Sequence, residues 1–346
     1  MSTSALTGPS AEVRPAHGPG RGPSRGTSRG PSGVLWLAWR QSRVAVRTMV
    51  IPALLAALVL ITMHVLIQDR VETMRRIGCL ETGVWDLTCQ VQGGRIGMLS
   101  WMFVNIVQPA VTAVPVLLGM FLGGPLLAQE YESGTLRLVL AQSAAPYRWL
   151  AARLAVPGAV VLLLSAVLSA LTSWVWRSDI VSGAWSFDPP FQGFTYPVLG
   201  TVPVAWALFG TALGVLVGQL VRRTVVAVLV SGAAVVLAHA VVLAVRPFFW
   251  PLVEEEQGYN NRLGGFAQPA NAWLVEHGVV LADGTRLTNA ECAISSDVCA
   301  AAPTSWGRYH PVSHFVPIQL VETVLLLVLT ALVVTSVFRR LTRAGV

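Results

Sequence analysis

Residues Gln129 to Arg153 read QEYESGTLRLVLAQSAAPYRWLAAR, a segment that carries acidic and basic side chains between two long apolar runs. Each flanking run is long enough to cross a bilayer as a helix, which needs about 20 apolar residues. The segment itself is too polar to cross. It therefore marks a place where the chain leaves the membrane, and the number of spans on either side decides which face it lies on.

The composition is that of a membrane protein. Of the 346 residues, 54% are hydrophobic and 12% are charged, and the mean hydropathy of +0.62 is too high for an ordinary soluble domain. All 24 basic residues are Arg, so the chain lacks the Lys of a Walker A phosphate loop, GxxxxGK[ST]. The Arg residues are scattered between apolar runs rather than gathered into one stripe, which argues against nucleic acid as a partner.

The hydrophobic pattern predicts an all-α polytopic fold with six transmembrane helices. Prolines and glycines within the second span predict that it is kinked or broken. Gly210, Gly214 and Gly218, which stand four residues apart in the fourth span, predict a face that another helix approaches closely. The predicted spans are 49–67, 101–127, 154–175, 198–220, 224–245 and 316–338.

The regions outside the spans divide into tails and loops. Residues 1–33 are rich in Gly, Pro, Ser and Arg, and we expect a disordered cytoplasmic tail, because such a composition cannot bury enough apolar surface to offset its ordering entropy. Residues 34–338 form the predicted transmembrane domain, with polar loops that include 68–100 and 246–315. Residues 339–346 form a short basic tail.

Charge counts predict the orientation. With the N-terminus inside, the inner segments carry 15 Arg against three acids, whereas the outer loops carry nine Arg against 13 acids. Positive residues accumulate on the cytoplasmic side of membrane proteins. Both termini and the segment 129–153 are therefore predicted to be cytoplasmic, in a multi-pass protein of a bacterial plasma membrane.

All four cysteines fall in predicted outer loops, the oxidising side where disulfides persist. Proximity within each loop favours the pairs Cys79–Cys89 and Cys292–Cys299 over the other pairings that four cysteines allow. No metal site is expected, because neither pair has the C-x2-C spacing of a zinc site. In the long loop, Asp283-Gly284 lies between two β-prone runs and predicts a hairpin, so a small disulfide-bonded cap is expected there.

Several polar side chains lie at membrane depth, where they are costly and often functional. Glu322, the one carboxylate inside a predicted span, is a candidate for contact with substrate or protons; the alternative is a hydrogen bond to a neighbouring helix. His239 and His64 could join it in a proton relay, although a lone His in a span more often bonds an adjacent helix. Asn105 either lines a pathway or satisfies backbone that a kink frees.

The polar segment carries an apolar stripe. Leu136, Val139 and Leu140 recur at i, i+3 and i+4 on a predicted helix that is too short to span. The stripe needs lipid headgroups, the protein's own surface or a groove on a second protein. Glu130 and Glu132 argue against lipid, because an anionic leaflet repels acids. A groove on another protein fits better.

Two tracts of the chain resemble a known family. The run Glu130 to Thr135, EYESGT, is similar to the start of the E-x-E-x-G-T, P-x-x-R and K/R signature of ABC-2 type transporter permeases, particularly actinobacterial ones. Pro146 and Arg148 match its next part, and Arg153 stands at its K/R position, where Lys is common. The tract YHPVSHF from Tyr309 resembles that group's Y-x-P-x-S-R-F tract, with His314 where Arg is usual. The order Ala-Pro-Tyr-Arg departs from the P-V-S-R order of many members.

The resemblance implies a permease subunit of an ATP-binding-cassette exporter, in which segment 129–153 docks on a separate ATPase chain. ATP and Mg would bind to that partner, and this chain would bind no cofactor and would not be an enzyme. It would pair with a second copy or a related permease. The residues implied in coupling to the ATPase are Glu130, Glu132, Gly134, Thr135, Leu136, Val139, Leu140 and Arg148.

Two other classes of function compete with this one. A secondary-active exporter would use Glu322 for proton coupling and would need no ATPase. An intramembrane enzyme would need a convergent catalytic set, for which the spans offer only His64, His239 and Glu322.

Overall fold

The computed structural model describes residues 31–79, 86–135, 146–182, 189–191, 193–258, 265–294, 298–299 and 302–344, with backbone only for 31–46, 146, 179–182 and 344. It is mostly helical. Within these described ranges, six helices are long and apolar enough to cross a membrane. We call them helix 1 to helix 6; their bounds are Pro31–Arg76, Leu87–Glu132, Pro146–Ser182, Val202–Val221, Thr224–Val245 and Phe315–Ala344.

The predicted polar loop 68–100 is wrong, because most of it is helical. Helix 1 continues to Arg76, and helix 2 begins at Leu87. Beyond the uniformly apolar run, Ile67, Val71 and Met74 still recur at helical spacing, and all three are buried. They pack in one cluster with residues of helices 2 and 3. Counting consecutive apolar residues misses such an extension, since only one face of it is apolar.

Helix 2 is continuous rather than broken, and it contains two π-helical turns, Phe103–Val107 and Gly119–Gly123. Each turn ends two residues before a proline, Pro109 or Pro125. Proline lacks the N–H that an α-helix needs at that point, and a wider turn accommodates the loss. Of the two predicted outcomes, a kink or a break, the break is wrong, and the irregularities at the prolines are local π-helical bulges.

Helix 3 and helix 6 are longer than their predicted spans, whereas helices 4 and 5 lie close to the predicted bounds. Helix 4 is the most buried of the six and packs against helices 2, 3, 5 and 6. The six crossings place the start of helix 1 and the end of helix 6 at one end of the bundle, which we call the termini side.

The other end of the bundle carries a β-sheet, and we call it the sheet side. The expectation of an all-α fold is wrong here, because a four-stranded antiparallel sheet forms within 246–315. Its strand order is β1-β4-β2-β3. The strands are β1 (Val253–Gly258), β2 (Trp273–Val280), β3 (Arg286–Thr288) and β4 (Thr304–His310). A loop of about 70 residues is long enough to have a core of its own, which hydropathy alone does not show.

The predicted hairpin is confirmed. Strands β2 and β3 pair across the turn that contains Asp283 and Gly284. Gly284 has a φ of 85°, which favours glycine, and the Asp283 carboxylate accepts the Thr285 N–H at 2.9 Å. The structure also contains the disulfides Cys79–Cys89 and Cys292–Cys299. The first joins helices 1 and 2, and the second lies beside the sheet.

Helices 2 and 4 meet through glycines. Gly210, Gly214 and Gly218 of helix 4 face Pro115, Gly119, Gly123 and Gly124 of helix 2, so that the two backbones are in contact. A Cβ added to Gly214 would lie 2.9 Å from the Cα of Gly123. This contact confirms the predicted close-packing face and identifies helix 2 as the partner.

We expect Gly214→Ala to destabilise the protein by about 1–3 kcal/mol, because the new methyl group meets backbone that cannot move aside. Thermal unfolding of the detergent-purified protein measures the effect. Gly158→Ala is the matched control: it lies in helix 3 with nothing within 4 Å of the added Cβ, so the better helix propensity of Ala should leave stability unchanged or raised. Equal stability of both variants would show that the glycine contact is not required.

Candidate functional site

The segment between helices 2 and 3 is held in place by its first residues, Gln129–Thr135, which we call the anchor segment. Helix 2 ends at Glu132, and the Ser133 hydroxyl donates a hydrogen bond to the Gln129 carbonyl at 2.7 Å. Gly134 then turns the chain with a φ of 71°, a conformation that favours glycine. The glycine of the E-x-E-x-G-T run is therefore required by the end of the helix.

Glu130 joins helix 2 to helix 3. One carboxylate oxygen accepts a hydrogen bond from the Thr135 hydroxyl at 2.6 Å, and the other pairs with Arg153 of helix 3 at 3.1 Å. Both charged side chains are less than one-fifth exposed. Since a partly buried pair is less screened than a surface pair, Glu130 fixes the anchor segment to the start of helix 3.

Glu132 joins the same segment to helix 5. Its carboxylate accepts the backbone N–H of Thr224, the first residue of helix 5, at 2.8 Å. A carboxylate at this position satisfies an unpaired N–H and interacts favourably with the positive end of the helix dipole. Next to it, the guanidinium of Arg222 lies 5.1 Å from the centre of the Tyr131 ring, a cation–π contact. The backbone of Arg222 has a φ of 57°.

The remaining coupling residues divide between the described and the undescribed chain. Arg148 lies exposed in the first turns of helix 3. Leu136, Val139 and Leu140, which form the predicted stripe, lie in 136–145, outside the described residues. The structure thus fixes both attachment points of this stretch, Thr135 and Pro146, and the stripe itself stays a prediction.

Glu322 lies in a closed ion pair on the sheet side. Its carboxylate receives two hydrogen bonds from the Arg246 guanidinium, at 2.9 and 3.2 Å, and one from the Trp206 indole at 2.9 Å. The Glu322 side chain is fully buried, and that of Arg246 is 5% exposed. The guanidinium also lies 4.0 Å above the centre of the Tyr196 ring. These contacts tie helices 4, 5 and 6 together where the sheet begins.

Of the other predicted polar residues, His239 lies near Glu322, whereas His64 and Asn105 make their contacts elsewhere. His239 lies beside Trp206, with ring centres 4.8 Å apart. His64 stacks on Trp174 at 3.5 Å, within helices 1 and 3. Asn105 is exposed, and its amide donates to the Trp101 carbonyl of its own helix at 2.9 Å, next to the first π turn. Among the described residues, no contact joins His64 to His239 and Glu322, so the relay of these three side chains stays a prediction.

Sequence reasoning missed Arg246, and it included Arg153 in the family signature without predicting its pair with Glu130. Arg246 follows the last apolar residue of helix 5, and Glu322 lies two turns into helix 6. Since these helices run in opposite directions, both residues lie at a similar depth. That signal was present in the sequence. The bond from Glu132 to helix 5 had no comparable signal, because the residues are 92 apart in the chain.

His310 connects the end of β4 to the end of helix 5. Its Nε2 lies 3.0 Å from the Pro247 carbonyl, which can only accept, so Nε2 carries the proton. Its Nδ1 then accepts from Nδ1 of His314, 3.2 Å away. Burial lowers the pKa of His310, with a smaller opposite effect of the Pro247 carbonyl, and the neutral ring suits both bonds.

A large apolar cavity of about 870 Å³ lies among helices 1, 2 and 3. Ala53, Val114 and Leu168 are typical of its lining, and Gln129 of the anchor segment lies at one end. Its apolar walls suit an apolar molecule or group.

Breaking the buried pair on one side only should be costly. We expect Glu322→Gln to lower the free energy of unfolding by about 3–5 kcal/mol, because Arg246 stays buried without a counter-charge. The double variant Arg246→Met with Glu322→Leu should recover most of that loss, since apolar side chains replace a buried pair well. Thermal unfolding in detergent measures both.

Arg75→Gln is the control for the loss of charge. Arg75 forms an exposed pair with Glu72 on helix 1, and such pairs contribute little. If Glu322→Gln were as stable as the parent protein, the pair would not hold the three helices together.

A comparison with protein families gives one match. The family model described as "ABC-2 membrane transporter related" matches residues 49–246, which is more than half of the chain. The match includes helix 1 from residue 49 onward, helices 2 to 5, the anchor segment and Arg246. No curated protein and no solved structure matches the chain.

Proposed function

The chain belongs to the ABC-2 membrane transporter related family, and from this premise we propose that it is the permease subunit of an exporter that a separate ATP-binding-cassette ATPase drives. As a multi-pass plasma membrane protein of that family, it is a membrane transport component. The chain contains no Lys and hence no Walker A loop. ATP and Mg are proposed to bind to the partner chain.

The anchor segment is the observation that carries the proposal. Glu130 and Glu132 attach it to helices 3 and 5 by side-chain bonds of 3.1 and 2.8 Å. A force applied to the stretch 136–145 would reach three helices at once through these attachments. That is the mechanical requirement for a segment through which an external ATPase moves a permease.

The apolar stripe supplies the proposed contact with the ATPase. Leu136, Val139 and Leu140 pack into a groove on that protein in our proposal, and Arg148 lies beside the contact on helix 3. The termini side is then the cytoplasmic side, in agreement with the Arg distribution. A second copy of the chain, or a related permease, completes the transporter, and the cavity among helices 1, 2 and 3 is proposed to receive apolar cargo.

Proton-coupled export through Glu322 is the less favoured function. A coupling carboxylate must exchange protons with water, yet this side chain is fully buried and both of its oxygens accept hydrogen bonds. These contacts suit a structural role.

The stripe is tested by Leu136→Asp combined with Leu140→Asp. We expect the ATPase to be lost from the purified complex and ATP-dependent export to be abolished, because two carboxylates cannot enter an apolar groove unpaired. The control makes the same changes at exposed apolar residues on the sheet side, Leu87→Asp with Ile294→Asp, and should keep the complex intact. Normal co-purification and export in the stripe variant would refute the coupling role. Size-exclusion chromatography checks folding of both.

The attachment of the segment is tested by charge reversal. Glu130→Arg places two cations together, so we expect reduced ATP-dependent export, with reduced stability of the anchor segment to proteolysis. Adding Arg153→Glu restores an opposite pair and should recover export, with a coupling energy of about 0.5–3 kcal/mol in a double-mutant cycle for protection from proteolysis. Additive losses in the double variant would mean that the pair does not transmit movement.

A further inference from the structure

A groove runs between helices 3 and 6 on the outer surface of the bundle. The two helices hardly contact each other because both pack on helix 4, which forms the floor. Two adjoining cavities of about 430 and 220 Å³ occupy the groove and share Ser173, Gly200 and Thr201. Exposed side chains such as Leu162 and Leu327 line it, so it opens toward the surrounding membrane.

The larger of the two cavities is apolar. Its walls carry small side chains, Ala166 and Ala170, with Val204 and Leu208 on the floor. Along helix 3 the groove extends from Leu162 to Arg177, which at 1.5 Å per residue is about 22 Å. That length and lining match an extended hydrocarbon chain.

The end of the groove near the sheet is polar, and two of its hydroxyl groups can donate a hydrogen bond to a ligand. The Ser173 hydroxyl oxygen accepts the Gly200 N–H at 3.2 Å, and among the residues that the structure describes its own hydrogen has no acceptor. The Thr201 and Thr323 hydroxyls lie 2.8 Å apart. One donates to the other, which leaves the second hydrogen available for a ligand.

A positive charge completes this end. Arg177 lines the groove where helix 3 reaches the membrane surface and is exposed. No carboxylate within the described part of the chain forms an ion pair with it. An apolar channel that leads to hydroxyl donors and an exposed guanidinium is complementary to a molecule with one hydrocarbon tail and one anionic head.

We propose that this groove binds an anionic phospholipid from the leaflet on the sheet side. One acyl chain lies along helices 3 and 6 over helix 4, and the phosphate contacts Arg177 and the Ser173 hydroxyl. The inference requires only that the chain spans a membrane and is independent of the ATPase partner and of transport.

The test is lipid binding by the full-length protein, delipidated in mild detergent and titrated with phosphatidylglycerol or phosphatidylcholine under native mass spectrometry. We expect phosphatidylglycerol to bind more tightly. Arg177→Gln should weaken it about fivefold, the value of one basic residue near a membrane surface, and leave phosphatidylcholine unchanged. Arg95→Gln, an exposed Arg of helix 2 outside the groove, should change neither.

The acyl-chain part is tested by filling the groove. Ala170→Phe places a ring in the channel and should weaken both lipids, whereas Val167→Phe, exposed on the same helix outside the groove, should weaken neither. The proposal is overturned if Arg177→Gln keeps the full preference for phosphatidylglycerol, or if both Phe variants bind lipid equally. It is also overturned if Leu327→Cys forms disulfide-linked dimers in membranes, because a second copy would then occupy the groove.

Discussion

The backbone contact between helices 2 and 4 is the constraint on which the arrangement of the bundle depends. In a membrane, lipid chains are as apolar as leucine side chains, so helices associate through close packing rather than through the hydrophobic effect. The glycines at Gly119, Gly123, Gly210 and Gly214 provide that packing. They place helix 4 at the centre, where it packs against helices 2, 3, 5 and 6.

This central position determines what happens at both ends of the bundle. At the termini side, helix 2 delivers Glu130 and Glu132 to helices 3 and 5, which flank helix 4. At the sheet side, Trp206 of helix 4 meets the Glu322–Arg246 pair between helices 5 and 6. The ion pairs at the two ends differ. The Glu130–Arg153 pair attaches the segment proposed to receive the force, whereas the Glu322–Arg246 pair is buried away from water. The Glu322–Arg246 pair has a structural role, because the two charges neutralise each other out of contact with water.

The contacts at the two ends of the bundle suggest how movement could pass through the protein. Under the proposed function, the segment attached to helices 2, 3 and 5 would receive the force. The Glu322–Arg246 pair and the sheet would keep helices 4, 5 and 6 together. Helices 1 and 3 share a buried cluster with the first half of helix 2. The cavity is lined by helices 1, 2 and 3, and two of these, helices 2 and 3, are attached to the segment. Movement of helices 2 and 3 relative to helix 1 would change the volume of that cavity.

The sequence by itself determined the number of spans, the position of the polar segment, the hairpin at Asp283-Gly284 and the close-packing face of helix 4. These follow from local patterns, because length, periodicity and turn chemistry are properties of neighbouring residues. Only the tertiary structure decided that helix 1 extends past Ile67, that the long loop forms a sheet, and that Glu132 bonds Thr224. It also decided that Glu322 pairs with Arg246 rather than with His239 or His64. Each of these depends on which residues, distant in the chain, the packing of helices brings together. A local pattern along the chain does not contain that information.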